Sequence, residues 1–356
     1  MRILHVDPER AWGGGEAQVM ALLGELERRG HASRVAAHPG GPLARAAAAA
    51  GVPVVPLAVA NHLDLGAALR LRRALGDAEV VHFHTARGHA LAPLCRRAGV
   101  RLVVTRRMDY VPAGGPYVRF LYNRAVDGIV AISEGVREAL VRVGVRRERI
   151  RVVPSGIDPA AGMAPPGARA ALRREWEVAD DAILVVVVGA LERRKGHAVL
   201  LEAARRLSPA VLGLRYVFCG EGGEAGALAE AAAPLGGAVR FAGFRRDVGA
   251  CLAAADVVAM PSLREGLGVA ALEAMAASRP LVASRVGGLA EVVVHVETGV
   301  LVPPGDPGAL ATALARLAGD GGLRARLGDA GRARVLARYT SAQMAEGTLA
   351  WYRGEP

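Results

Sequence analysis

A chain of 356 residues with 52% hydrophobic and 22% charged side chains is globular, not disordered, and it exceeds the roughly 250–300 residues at which single hydrophobic cores stop growing, so two domains are expected. The apolar run at 182–188 is far short of the ~20 residues a membrane helix needs, and the first residues enter a strand with no signal-peptide pattern, so a cytoplasmic location is expected. The net charge of +11 sits mainly in the first half, where residues 1–165 carry 23 Arg against 14 acidic side chains; an anionic acceptor or the anionic face of a membrane, met peripherally, suits that half. Nucleic acid is excluded as a partner by 4% aromatic content and by the lack of a helix-turn-helix, zinc-finger or aromatic–basic pattern.

Residues 2–6 read as a strand, glycines 13–15 as a turn, and 16–29 as a helix. Val19, Leu22, Leu23 and Leu26 recur there at helical spacing, and Gly30 ends it. A strand at 33–37, a helix at 43–50, a strand at 52–55 and a helix at 65–75 follow. Strands at 80–83, 101–105, 128–132 and 150–153 complete the βα rhythm of a parallel sheet. The stretch PSGIDPAAGMAPP (154–166) has linker composition. The rhythm restarts at 183–188, a β-branched run of the kind buried on both faces. Strands at 214–219, 239–242 and 257–260 alternate with helices at 198–207, 226–233, 248–254 and 270–276. Further helices fall at 310–317, 323–339 and 342–352. Ligands of such sheets sit beyond the carboxyl ends of the strands.

Of 45 basic side chains, 44 are Arg and one is Lys, at position 195. Arg and Lys differ where a compact point charge is needed, which singles out Lys195. Lys195 falls after the strand 183–188, at the end where a cation meets a bound diphosphate. Glu265 and Glu273 are spaced E-x7-E around a glycine loop that opens a helix. The backbone of Gly266, Leu267, Gly268 and Val269 is there a candidate phosphate cradle. Gly14 and Gly15 permit close backbone approach, but the stretch is no G-x-G-x-x-G fingerprint, and no acid ends the second strand, which argues against a nicotinamide enzyme. His82 and His84, at i and i+2 of a strand, are expected on opposite faces. With no D-x-D motif in a plausible place, no metal is expected. Three widely spaced cysteines form neither a disulfide framework nor a zinc site. Arg106 and Arg107, in TRRMDY (105–110), are candidates for a phosphate or carboxylate on an acceptor.

The ordered pieces WGGGEAQVMALLGELERRGH (12–31), VVHFHT (80–85), ISEGV (132–136), VVPSGID (152–158), VGALERRKGH (188–197), EGLGVAALEAMA (265–276) and GGLAEVVVHVETGVLVPPGDPGAL (287–310) resemble the retaining glycosyltransferase family 4. The resemblance covers nearly the whole chain. It implies the α/β GT-B fold, two Rossmann-like domains facing a central cleft. An acceptor-binding domain would span 1–160, a nucleotide-sugar-binding domain 167–338, and a closing helix at 339–356 would pack back on the first domain. Trp351 and Tyr352 suit that return, being apolar anchors where a free end is usually polar.

The resemblance assigns Glu265 to the hydroxyls of the donor sugar, Glu273 to the ribose, Lys195 to the leaving diphosphate and His84 to the donor sugar, with His82 a packed histidine. Gly14 and Gly15 would line the cleft near donor phosphates and acceptor. The family's usual Arg is replaced by Ala190, so Arg193 or Arg194 is expected to supply the second cation. The implied reaction is metal-independent transfer of a hexose-type sugar from a UDP-, GDP- or ADP-sugar, without a cofactor, to a glycan, lipid or other envelope-related acceptor. The configuration is retained by front-side substitution. Alternatives are a nucleotide-sugar 2-epimerase, a phosphorylase of the same architecture, or a GT-B subunit that binds without catalysis, which the loss of Arg at Ala190 favours.

Overall fold

Each half of the chain folds as its βα rhythm dictates, into a parallel sheet covered by helices. The computed structural model describes residues 1–62, 64–108, 115–160, 163–207 and 213–355. Residues 109–110 of the TRRMDY stretch and 161–162 of the linker lie outside them. The chain divides into two compact units, residues 1–156 with 341–356, and residues 157–340.

The first unit contains β1 (Arg2–Asp7), β2 (Ala32–Ala37), β3 (Val54–Pro56), β4 (Val80–Phe83), β5 (Arg101–Arg106), β6 (Gly128–Ala131) and β7 (Ile150–Val152). They pair in the order β3-β2-β1-β4-β5-β6-β7, all parallel. The second unit contains β8 (Ile183–Val188), β9 (Leu214–Cys219), β10 (Val239–Gly243), β11 (Val257–Met260), β12 (Leu281–Ser284) and β13 (Val300–Val302). Their order is β10-β9-β8-β11-β12-β13, again all parallel. Counted within each unit, both follow the doubly wound pattern 3-2-1-4-5-6. The strand order therefore reverses between β1 and β4 and between β8 and β11, and a crevice opens beyond the carboxyl ends at each reversal.

The opposite end of the second sheet is anchored by charge. Asp256, just before β11, accepts from Leu184 N–H at 2.8 Å, from Arg169 at 2.7 Å and from Arg173 at 3.0 Å. Burial raises its carboxyl, but these donors outweigh it and hold the pKa below the ordinary value. Arg173, in the helix Ala168–Glu175, also donates to the carbonyls of Ala179 and Ala182 at 2.5 and 2.7 Å.

The C-terminal helix, Ser341–Arg353, belongs to the first unit. Its Met344, Ala345, Leu349 and Tyr352 share one core with Ile3, Leu22, Leu26, Val80, Val103, Val130 and Val153. Ser341 Oγ donates to Glu25 Oε1 at 2.8 Å. Gly128 of β6 makes room for the indole of Trp351, because a Cβ there would fall 2.4 Å from its Nε1. Gly128→Ala is thus expected to destabilise the chain by about 1–3 kcal/mol through overpacking, read as a lower midpoint in chemical denaturation. An unchanged midpoint would mean that the helix is not seated on β6.

Candidate active site

Two loops interlock at the strand reversal of the second sheet. One, 189–196, follows β8; the other, 261–268, follows β11 and opens the helix Val269–Ala276. Lys195 ends a short 3-10 turn, Arg193–Lys195. Gly196 then takes φ +67°, and a Cβ there would lie 2.0 Å from the Pro261 carbonyl oxygen, so only glycine lets the loops touch. The N–H groups of Leu263 and Arg264 donate to the Arg194 carbonyl at 2.7 and 3.2 Å. His197 Nε2 donates to the Ala190 carbonyl at 3.0 Å and pins the start of the first loop.

With the loops locked, Lys195 Nζ donates to Glu265 Oε2 at 2.5 Å, and Ser262 Oγ donates to the same oxygen at 3.3 Å. The two side chains keep 16% and 9% exposure, so the pair is largely sheltered from solvent yet reachable. The helix Val269–Ala276 starts after Gly268, at φ +92°. The first N–H groups of a helix have no intrahelical acceptor, which puts those of Gly268 and Val269 at its open start, next to Glu265. Glu273 lies one turn into that helix, and burial pushes its carboxyl up to about 7. Arg194 Nε donates to Glu192 Oε2 at 2.6 Å, and Arg193 is exposed. Ala190 offers only a methyl group. Glu192, Ser262 and His197 are partners that the sequence reading did not name.

In the first unit the helix Gly14–Arg28 begins two residues earlier than its apolar spacing predicts. Glu16 Oε2 accepts from Gly13 N–H at 2.7 Å and fixes that start. Gly14 and Gly15 are therefore its first turn, not a preceding loop. Asp7 ends β1; its Oδ1 accepts from Glu9 N–H at 3.2 Å, while Oδ2 is buried with no hydrogen-bond partner among the described residues. Burial and then Glu16 push the Asp7 carboxyl up to about 7, with Glu9 N–H and Arg107 pulling the other way. Arg107 is half-buried beside Asp7 and Glu16. Arg106 is buried and bonded to Tyr122.

The expectation that His82 and His84 face opposite ways is wrong. Alternation along a strand puts neighbouring residues on opposite faces and residues two apart on the same face, so His82, in β4, and His84, just past its end, point the same way and their rings lie 4.0 Å apart. His5 of β1, in register with His82, stacks on His84 at 5.3 Å. His84 Nε2 and His5 Nδ1 are 3.0 Å apart, and Arg107 Nη2 lies 3.4 Å from His84 Nδ1. A guanidinium only donates. His84 Nδ1 is thus the acceptor, Nε2 carries the proton, and His5 Nδ1 receives it. His82 bonds Tyr352 Oη through Nδ1 at 2.5 Å and Thr105 Oγ1 through Nε2 at 2.6 Å. Burial lowers the pKa of His5 to about 3 and of His82 and His84 well below the ordinary value, so the block is neutral at pH 7. One nitrogen from each of the three rings lies within 4.8 Å of the others, a spacing suited to a transition metal. A metal would compete there with hydrogen bonds that engage both nitrogens of His82 and of His84. His5 and Asp7 had no sequence signal of their own; the pairing of β1 with β4 brings them in.

Residues 168–334 match the family model described as Glycosyl transferases group 1, and residues 12–161 match Glycosyltransferase Family 4. Alpha-maltose-1-phosphate synthase of Mycolicibacterium smegmatis is 32% identical, over 97% of this chain and 96% of its own. The lipopolysaccharide core biosynthesis glycosyltransferase LpsE of Rhizobium meliloti is 32% identical over 67% of each chain. The crystal structure of Anabaena HepE in complex with UDP-glucose matches with a TM-score of 0.88, covering 99% of this chain and 100% of that one at 22% identity. The shared architecture is the GT-B fold of two Rossmann-like domains.

Glu273 gives this site a pH signature in stability. Between the ordinary 4.5 and about 7 the folded chain keeps a proton that the unfolded chain has released. Burying this acid therefore costs little below that window, and the cost grows as pH rises through it. Glu273→Gln, which keeps the shape without the charge, is expected to melt with the wild type at pH 4.5 and about 2–4 °C above it at pH 8, the size of a ~1 kcal/mol change. Equal melting temperatures at both pH values would contradict the raised pKa.

Proposed function

Since this chain belongs to the GT-B-fold glycosyltransferases, which move a sugar from a nucleotide-sugar donor to an acceptor, we propose that it is a retaining, metal-independent member of family 4. The second unit holds the donor and the first unit the acceptor. The Lys195–Glu265 pair beside an open helix N-terminus is the observation that carries this reading.

A donor diphosphate at the N-terminus of the helix Val269–Ala276 meets the N–H groups of Gly266, Leu267, Gly268 and Val269 and offers the Lys195 ammonium a second anion. As the C1–O bond breaks, its electron pair leaves on the diphosphate, where these positive groups stabilise it. The acceptor oxygen attacks C1 on the face of departure, and its proton passes to the leaving diphosphate. Glu265 takes the sugar hydroxyls with the oxygen that Lys195 leaves free, and Glu273 takes the ribose hydroxyls. Arg194 supplies the second cation missing at Ala190 by giving up Glu192; Arg193, exposed on the same turn, is the alternative. For His84 to reach a donor sugar, Arg107 must release its Nδ1.

Arg107, with Gly14 and Gly15 at the start of their helix, suits an anionic acceptor, and Arg106 packs behind it. A relative named for synthesising a sugar phosphate and another named for lipopolysaccharide core biosynthesis support a phosphorylated or envelope-related acceptor. Tyr117 and Phe120, 52% and 50% exposed, flank Arg119 on one short helix with Arg124 beyond it, a pairing that fits peripheral contact with an anionic membrane from the cytoplasmic side. No helix among the described residues is long and apolar enough to cross a membrane.

The test is a thermal-shift and turnover screen over UDP-, GDP- and ADP-sugars with EDTA present, starting from UDP-glucose. One nucleotide class is expected to stabilise the chain, by about 2.7 kcal/mol at a hundredfold excess over Kd. Transfer should survive EDTA and yield a product of retained anomeric configuration by NMR. Loss of turnover in EDTA with rescue by Mn²⁺, or an inverted product, would overturn the proposal.

A further inference from the structure

We propose that Tyr352, in the last turn of the C-terminal helix, is a positioning residue for His84: acting through His82, it sets the tautomer and orientation of the imidazole stack at the strand reversal of the first sheet. The consequence for turnover rests on the assignment of His84 to the donor sugar; the state of the stack does not.

Tyr352 is 270 positions from His82 in sequence, yet its hydroxyl lies 2.5 Å from His82 Nδ1 and its ring meets the imidazole edge-on at 5.5 Å. Thr105 Oγ1 closes the opposite nitrogen at 2.6 Å. Two hydroxyls flank one neutral imidazole, so one of them must donate and the other accept. The phenol is the more acidic donor, and in its buried site it stays protonated. Tyr352 O–H therefore donates to Nδ1, leaving the His82 proton on Nε2, directed at Thr105. His84 is fixed in the same tautomer from its own side, by Arg107 at Nδ1 and His5 at Nε2.

The rings of His82 and His84 are 4.0 Å apart and tilted by 41°, so His82 is the wall against which His84 rests. Removing the phenol hydroxyl leaves His82 Nδ1 facing a buried space with no donor. The ring must then move its proton to Nδ1 or rotate, and either change shifts the surface that holds His84. The helix itself does not depend on this hydrogen bond, because Met344, Ala345 and Leu349 pack in the core and Trp351 seats against Gly128. Seating and positioning are therefore separable by mutation.

The experiment compares the full-length wild type, Tyr352→Phe and Leu349→Ala, each labelled with ¹⁵N-histidine, by long-range ¹H–¹⁵N NMR and by steady-state transfer kinetics. In Tyr352→Phe the His82 nitrogens are expected to lose the pattern of an Nε2–H tautomer with a bonded Nδ1, and the His84 resonances to move with them. The kcat should fall about tenfold or more, as for a small misplacement at a reacting centre, with the donor KM changed less than about twofold and a melting temperature near that of the wild type. Leu349→Ala loosens the helix without touching the phenol; it should lower the melting temperature while keeping the wild-type histidine spectrum and kcat below its transition. Wild-type histidine spectra in Tyr352→Phe would overturn the proposal. So would a loss of kcat in Tyr352→Phe that only follows melting temperature, as in Leu349→Ala. Altered spectra with wild-type kcat would uphold the control of the stack by Tyr352 and overturn the catalytic assignment of His84.

Discussion

The ammonium of Lys195 and the carboxylate of Glu265 come from positions 70 apart and meet at 2.5 Å because β8 and β11 are neighbours at a strand reversal. Everything around the pair serves that meeting. Gly196 lets one loop press on the Pro261 carbonyl, the Arg194 carbonyl ties down Leu263 and Arg264, and Gly268 turns the chain into the next helix. A sheltered ion pair is a poor device for stability, since desolvation offsets most of its Coulomb energy. It is a good device for holding a cation and an acceptor oxygen in fixed places. The scarcity of Lys in a chain that uses Arg 44 times fits a site where a compact ammonium matters.

The two units share one topology and fill its functional end differently. The second keeps formal charges there, paired and partly reachable. The first fills it with neutral imidazoles whose burial suppresses protonation, bounded by Asp7, Glu16 and Arg107. Stabilising networks sit elsewhere, in Asp256 with Arg169 and Arg173 at the amino ends of β8 and β11, and in Glu25 with Ser341 at the start of the last helix. That separation frees the carboxyl-end loops to be shaped by chemistry.

Most strands were legible because buried parallel strands write themselves as runs such as ILVVVV at Ile183–Val188, whereas the short β12 and β13, four and three residues long, were not picked out. Glu265 and Glu273 were singled out by spacing around a glycine loop, and Lys195 by its solitude. The pairing of Lys195 with Glu265 was not legible, since it depends on strand order across a reversal and no local pattern encodes that. His5 and Asp7 were missed for the same reason. His82 and His84 were misread because residues two apart on a strand share a face, and their spacing was taken to separate them. The helix Ala168–Glu175 escaped notice because its inward side includes Arg173, a buried cation where an apolar residue is expected. The pairing of Arg194 with Glu192, two residues away, was local enough to read and changes how free that cation is.

The central claim is that Lys195 is a positioned ammonium for the leaving diphosphate, held by Glu265. The most direct measurement is kcat/KM with the cognate donor for Lys195→Arg, Lys195→Ala and Lys195→Ala combined with Ala190→Arg. A guanidinium is larger than an ammonium and approaches its partners as a fork. It must displace the loop or the phosphate, and a shift of about 1 Å at a reacting centre can cost about a hundredfold. The account predicts a loss of at least about tenfold for Lys195→Arg, a larger loss for Lys195→Ala, and partial recovery when Ala190→Arg is added. Wild-type kinetics in Lys195→Arg would contradict it.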